Sequence, residues 1–144
     1  MDHRAEQITA KILTLVTGLA TTGANVGRDV LDPLEDTELP FLSVAQGEDT
    51  KMESSFEFID SSLTVIITAY LKANSALTTT LNQIRKEIAI ALSADYTLGL
   101  AWVLDSNEGD VSAPELLTDA EKGVARQDIA WHVHYRRSRT DPST

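Results

Sequence analysis

The strongest constraint on this chain is a run of alternating apolar and polar residues near its C-terminus, within Val124 to Arg137. On a strand, alternate residues share a face. The apolar face carries Ile129, Trp131, Val133 and Tyr135, and the polar face carries Asp128, His132, His134 and Arg136. We predict a long strand with one face in water. Its apolar face must be buried under another layer, which favours a sheet with helices laid on it.

A second segment, Leu63 to Leu71, is rich in β-branched and aromatic residues and is also predicted to be a strand. One of its faces is wholly apolar and the other is only half polar, which favours a central strand covered on both sides. Shorter strands are predicted at Asn25 to Leu31, Phe41 to Gln46, Phe56 to Phe58, and Trp102 to Leu104.

Two segments carry apolar residues three and four positions apart, the spacing of one helical face. The first runs from Asp2, a possible cap, to Leu19, and the second from Asn74 to about Asp95. The predicted fold class is therefore α+β, with a single mixed, mainly antiparallel β-sheet flanked by two amphipathic α-helices. We expect one domain over residues 1–137 and a flexible C-terminal tail over residues 138–144 with nothing to pack against.

The charge balance and the lack of cysteine exclude several classes of function. The chain has 144 residues, with 22 acidic and 12 basic side chains and a net charge of -10, so nucleic-acid binding is disfavoured. The absence of cysteine removes disulfides, thiolate catalysis and cysteine-rich zinc sites, and suits a reducing cytoplasm. No apolar run reaches the roughly 18 residues of a membrane span, so neither membrane insertion nor secretion is expected.

Motifs for catalysis or cofactor binding are incomplete. Gly18 and Gly23 have the spacing of a phosphate-binding loop, but Ala24 and Asn25 stand where a lysine and a serine or threonine are needed. No serine lies in a nucleophile elbow. We therefore predict no catalytic residue and no cofactor, and expect that the chain is not an enzyme.

Two metal sites are conceivable from spacing. His132 and His134 share a strand face and could hold a metal with Asp128 or His3, although basic side chains on that face would repel a cation. The residues from Asp105 to Asp110 resemble a calcium loop, but the glycine and the final carboxylate are misplaced. A solvated strand face and a turn explain the same residues, so no metal is predicted.

The charged segments are better candidates for contacts between subunits. Asp105 to Lys122 is predicted to be a long acidic linker, and Asp29 to Glu38 an exposed acidic turn containing Pro33. The arginines near the C-terminus form the one basic cluster and could pair with an acidic surface of a neighbouring subunit. The predicted subunit or partner interface consists of Asp105, Glu108, Asp110, Glu115, Arg136, Arg137 and Arg139.

The order of these segments resembles the tail terminator proteins of long-tailed bacteriophages, the minor tail protein U-like family. The resemblance extends from about Arg4 to Arg137 and rests on order, length and pattern, not on an invariant motif. Its segments are the N-terminal helix, Leu39 to Val44 with the acidic turn that follows, Ser62 to Leu71, Asn74 to Ala94, the strand around Trp102, the acidic connection, and Ala125 to Arg137.

The resemblance implies a structural virion protein made in the host cytoplasm and located at the head-proximal end of the tail. Such subunits form a hexameric ring that caps the tail tube, stops its polymerisation and provides the head-attachment surface. The implied partners are copies of the chain itself, the major tail tube protein and a head-completion or connector protein, with DNA passing through the ring unbound. The alternatives are another phage neck or head-tail connector protein, or a small metal-binding protein using His132 and His134.

Overall fold

The computed structural model describes residues 1–30, 39–117 and 123–144, which form two helices and one six-stranded sheet. In chain order the elements are α1 (Arg4–Val16), β1 (Val26–Arg28), β2 (Phe41–Ser54), β3 (Phe58–Lys72), α2 (Leu77–Ser93), β4 (Val103–Val111), β5 (Glu115–Leu116) and β6 (Val124–Ser138).

The sheet is mixed and mainly antiparallel, as predicted. Its strands follow the order β1-β2-β3-β6-β4, with β5 also paired to β6. β1 runs parallel to β2, and every other pair is antiparallel. The long strands β3 and β6 pair over their whole length, from Phe58 opposite Ser138 to Lys72 opposite Val124. The predicted central strand and the predicted long C-terminal strand therefore lie side by side in the middle of the sheet.

Both helices lie on the same face of the sheet, where they form one hydrophobic core with the apolar faces of β3 and β6. α1 buries Ile8, Ile12 and Val16, and α2 buries the stripe from Leu81 to Leu92. Trp131 and Tyr135 of β6 are among the largest buried side chains. Burying a large apolar side chain contributes about 1.5 to 3 kcal/mol, so the helix spacing and the strand alternation stabilise the fold together.

The ends of α1 differ from the prediction. The helix begins at Arg4, and its cap is His3, whose Nδ1 accepts a hydrogen bond of 3.0 Å from the Ala5 amide, so the prediction of Asp2 as cap is wrong. The helix ends at Val16 because Thr17 takes an extended backbone conformation. The predicted continuation to Leu19 is therefore wrong by one turn.

The opposite face of β3 is more open than predicted. Ser62, Thr64 and Ile66 are only half-buried there, whereas Thr68 and Tyr70 are buried. The helices cover the other face, so the expectation of full cover on both sides is wrong for the half of β3 nearer its beginning. The half-polar sequence of this face is compatible with partial contact with water.

β2 is longer than the predicted strand at Phe41 to Gln46. It continues to Ser54 with two register shifts against β3, so the acidic turn predicted after Val44 is instead part of a strand. Polar residues are tolerated here because most of this half of the strand is exposed. We call residues 48–60, which include the turn between β2 and β3, the hairpin arm.

The predicted acidic linker from Asp105 to Lys122 is also largely a strand. β4 begins at Val103, after Trp102, and pairs with β6, and β5 pairs with β6 further along the same side. Backbone hydrogen bonds with the long strand β6 hold this edge extended, with two register shifts in β4, even though its sequence lacks an apolar period. Residues 118–122 of the linker, and residues 31–38 of the predicted Pro33-containing turn, lie outside the described residues.

The C-terminal residues turn back onto the domain. The Ser138 amide donates a hydrogen bond of 2.7 Å to the Thr144 carbonyl, and the Arg4 amide donates one of 2.9 Å to the Pro142 carbonyl. These backbone hydrogen bonds give residues 138–144 contacts with the domain, although the segment has no large apolar side chain to pack. Their flexibility stays a prediction.

Candidate assembly surfaces

The four acidic residues predicted at an interface lie along one edge of the sheet. Asp105 lies opposite His134, and Glu108 lies opposite Trp131. Asp110 lies in the register shift that follows, and Glu115 lies opposite Arg126. Because β4 and β5 pair with the same side of β6, these residues follow one edge of the sheet, which lies opposite β1 and which we call the acidic edge.

This acidic edge is not suited to pairing with a further strand. β4 has two register shifts against β6, and its exposed side chains are mostly charged or polar. Bulges and charges are devices that keep sheet edges from pairing with other chains. One carboxylate has a partner within the chain, because Glu108 Oε1 lies 3.8 Å from Arg85 Nη2 of α2. Glu115 also lies opposite a basic residue, Arg126, and helps to raise its pKa.

Arg136, one of the three predicted interface arginines, is already paired within the chain. Its Nε and Nη2 donate hydrogen bonds of 2.7 and 3.0 Å to the Asp60 carboxylate, and its guanidinium lies 3.8 Å from the centre of the Phe58 ring. These hydrogen bonds hold the pKa of Asp60 below its ordinary value and raise the pKa of Arg136. Arg136 therefore stabilises the hairpin arm, and its charge is largely compensated there.

The other two arginines have different partners. Arg137 is the neighbour of Arg136 on β6, so its side chain leaves the opposite face of the strand, and its Nη1 donates to the Ser138 carbonyl. Arg139 reaches the turn of the hairpin arm, where its Nη1 donates a hydrogen bond of 3.2 Å to the Ser55 carbonyl. Arg136 and Arg139 therefore both contact the hairpin arm, whereas Arg137 lies on the other face of β6, and the role of all three at an interface stays a prediction.

The turn of the hairpin arm presents a surface that the sequence did not indicate. Phe56, which the sequence pattern assigns to a strand, is 93% exposed at this turn. The Ser55 hydroxyl accepts hydrogen bonds of 3.2 Å from the amides of both Glu57 and Phe58, which closes the turn. A serine that bonds to nearby backbone amides is a turn signal, and it could have identified this site from sequence.

The candidate metal ligand His132 is enclosed by its neighbours. Its Nδ1 lies 2.9 Å from the Thr64 hydroxyl oxygen. Its Nε2 faces Gly109 of β4, where a Cβ atom would lie 2.4 Å from that nitrogen. Within residues 1–30, 39–117 and 123–144, no three His, Asp or Glu side chains form a group that could hold a metal ion. The segment compared with a calcium loop is extended, so its oxygens do not converge.

Comparison with known proteins identifies a relative by fold only. No protein-family model matches the chain. No curated protein matches its sequence. Among solved structures, a chain of the virion of a native gene transfer agent particle aligns with a TM-score of 0.55 and 16% identity, over 93% of this chain and 90% of that chain. The likeness therefore spans nearly the whole of both chains.

The helices of the described residues were also compared with the requirements of a membrane span. None of them is both long enough and apolar enough to cross a bilayer.

Proposed function

We propose that this chain is a structural protein of a phage-like virion, and more specifically a tail terminator. In this role, copies of the chain form a ring that caps the tail tube, stops its polymerisation and offers the surface to which the head attaches. The chain acts by assembly and not by catalysis. Its partners are other copies of itself, the major tail tube protein and a head-completion or connector protein.

The observation that carries the proposal is the fold likeness to a chain of a gene transfer agent virion, because it covers 93% of this chain. The α+β fold agrees with the fold that the resemblance to tail terminators implied from the order of segments. The acidic edge and the exposed hairpin turn add two surfaces that suit contacts with other proteins.

A ring of such subunits has suitable dimensions. A compact chain of this length has a diameter of roughly 37 Å, and six such bodies in a ring enclose a hole of about the same width. A DNA duplex fits through a hole of that size. Carboxylates lining it would keep the passing duplex from binding, because like charges repel.

A tube-polymerisation assay tests the proposal. Purified protein is mixed with polymerising tail-tube subunits, and tube lengths and ends are measured by negative-stain electron microscopy. We expect rings at one end of each tube and arrested growth. Tubes of unrestricted length without bound rings would refute termination and favour the second candidate, a neck or head-tail connector protein. The fold likeness is also compatible with that candidate, which would bind to the portal side of the neck.

A further inference from the structure

The turn of the hairpin arm carries an exposed aromatic ring on a hydrogen-bonded backbone. The Ser55 amide donates a hydrogen bond of 2.8 Å to the Phe58 carbonyl, and the Arg139 amide donates one of 3.1 Å to the Glu57 carbonyl. The C-terminal segment therefore braces the turn from one side. Phe56 at its tip is almost fully exposed, so it contacts little of its own chain. An exposed aromatic side chain has few rotatable bonds and loses little conformational entropy on binding, and aromatic residues are typical interface anchors.

The helical face of the molecule carries a groove that fits such a ring. It lies between α1 and the end of α2, and its volume is about 160 Å³. Its apolar lining consists of Leu15, Ala91, Ala94 and Leu98. A dry apolar cavity of about 150 Å³ accepts benzene, so the groove has room for the ring of one phenylalanine.

The charges at the two surfaces are complementary. Phe56 is followed by the exposed Glu57, whereas Lys11 lines the groove, with its Nζ 3.7 Å from where a Cβ of Gly99 would lie. Asp95, the acidic residue of the lining, is already bonded, because its Oδ1 accepts hydrogen bonds of 2.9 and 2.7 Å from the amide and the hydroxyl of Thr97. Lys11 also helps to lower the pKa of Asp95, so an incoming carboxylate would share the ammonium group of Lys11 with Asp95.

We propose that Phe56 of one copy of this chain docks into the groove between α1 and α2 of a second copy, with Glu57 facing Lys11. The two surfaces are different parts of the molecule, so the contact is head to tail, and contacts of this kind generate rings when the rotation closes. The inference rests on the proposed ring-forming function and names the contact that joins its subunits.

Disulfide cross-linking tests this contact without background, because the chain contains no cysteine. Phe56→Cys and Ala94→Cys proteins are prepared separately, mixed, assembled on tube ends and oxidised, and the products are separated on a non-reducing gel. We expect a disulfide-linked pair of the two variants. Phe56→Cys mixed with Ser75→Cys is the matched control, since Ser75 is exposed but does not line the groove. Equal cross-linking in both mixtures, or cross-links from Phe56→Cys to the tube subunit alone, would overturn the proposal.

A charge exchange tests the same contact by rescue. Lys11→Glu should weaken self-association, measured by sedimentation, and the double variant Lys11→Glu, Glu57→Lys should restore it. Phe56→Ala should weaken self-association roughly 30-fold, as for other anchor residues. If the double variant self-associates no more tightly than Lys11→Glu alone, the proposed contact is wrong. If wild-type protein caps tubes in these experiments, the proposed function stands even where the cross-link and the rescue both fail.

Discussion

Replacing Tyr135 with phenylalanine removes one hydroxyl group that ties the centre of the sheet to the hairpin arm. Tyr135 is fully buried on β6, and its hydroxyl donates a hydrogen bond of 2.8 Å to Oδ2 of Asp49 on β2. Burial and the Asp49 carboxylate raise the pKa of Tyr135, so the hydroxyl keeps its proton at any pH at which the protein would be studied. Within the part of the chain that the structure describes, the other carboxylate oxygen of Asp49 is buried and has no hydrogen-bond partner.

The loss of stability expected for Tyr135→Phe follows from the type of hydrogen bond that is removed. A hydrogen bond to a charged group contributes about 1.5 to 3 kcal/mol, and the substitution leaves a carboxylate that is already poorly satisfied with one donor fewer. We expect Tyr135→Phe to lower the free energy of unfolding by about 2 kcal/mol. At this chain length the melting temperature should fall by roughly 7 °C.

Urea unfolding followed by circular dichroism measures the free energy of unfolding. If this free energy depends on urea concentration with the same slope in the wild type and the variant, their unfolded states are comparable. Tyr96→Phe is the matched control, because Tyr96 is 60% exposed and its substitution should change stability by less than about 0.5 kcal/mol. In an Asp49→Ala background, where the acceptor is absent, Tyr135→Phe should lower the free energy of unfolding clearly less than it does in the wild type. A Tyr135→Phe protein as stable as Tyr96→Phe would refute the reasoning.

Three further predictions concern the polar face of the sheet. Asp60→Asn should destabilise the protein near pH 6 and progressively less below about pH 4. Arg136 lowers the pKa of Asp60, so the contribution of the pair to stability is lost as that carboxylate protonates. A difference between the urea-unfolding free energies of the wild type and the variant that persists to pH 2 would contradict this. Gly109→Ala should lower the free energy of unfolding by roughly 1 to 3 kcal/mol, since the added Cβ would overlap the ring of His132. The same substitution should lower it by less in a His132→Ala background. Equal losses of free energy in both backgrounds would show that the ring is not the obstacle. Zinc chloride should leave the melting temperature unchanged, because Thr64 and Gly109 enclose the ring of His132; a rise that His134→Ala abolishes would restore the metal hypothesis.

The predictions from sequence that were confirmed depend on periodicity. In β6 the alternation of Trp131, Val133 and Tyr135 with polar residues identified both the strand and its buried face. In α2 the stripe from Leu81 to Leu92 identified the helix and the side that it buries. In a segment that contributes one face to the core, the apolar residues must recur with the period of the helix or strand. The sequence of such a segment therefore indicates both the type of element and its buried face.

The elements that were missed lie where no face is buried. Beyond Leu104, where the predicted strand ended, β4 is an exposed edge strand whose residues are mostly charged or polar, so its sequence there is indistinguishable from an acidic loop. The exposed half of β2 was missed for the same reason. Their backbone conformation is imposed by hydrogen bonds with β6 and β3, which lie elsewhere in the chain.

The candidate surfaces were only partly predictable. The acidic residues of β4 and β5 could be identified from charge alone, but their alignment along one edge depends on the pairing of both strands with β6. The pairing of Arg136 with Asp60 joins residues far apart in sequence, so charge counting could not separate Arg136 from Arg139. The exposure of Phe56 depends on the turn that Ser55 closes, which a search for strand-forming residues overlooks.

The measurement that tests the central claim most directly is the length distribution of tail tubes grown with increasing amounts of this protein. The account predicts that tubes stop growing once one end carries a ring, so the mean length falls as protein is added and every arrested tube is capped. Tubes whose length does not depend on the protein, with bare ends at all concentrations, would contradict it.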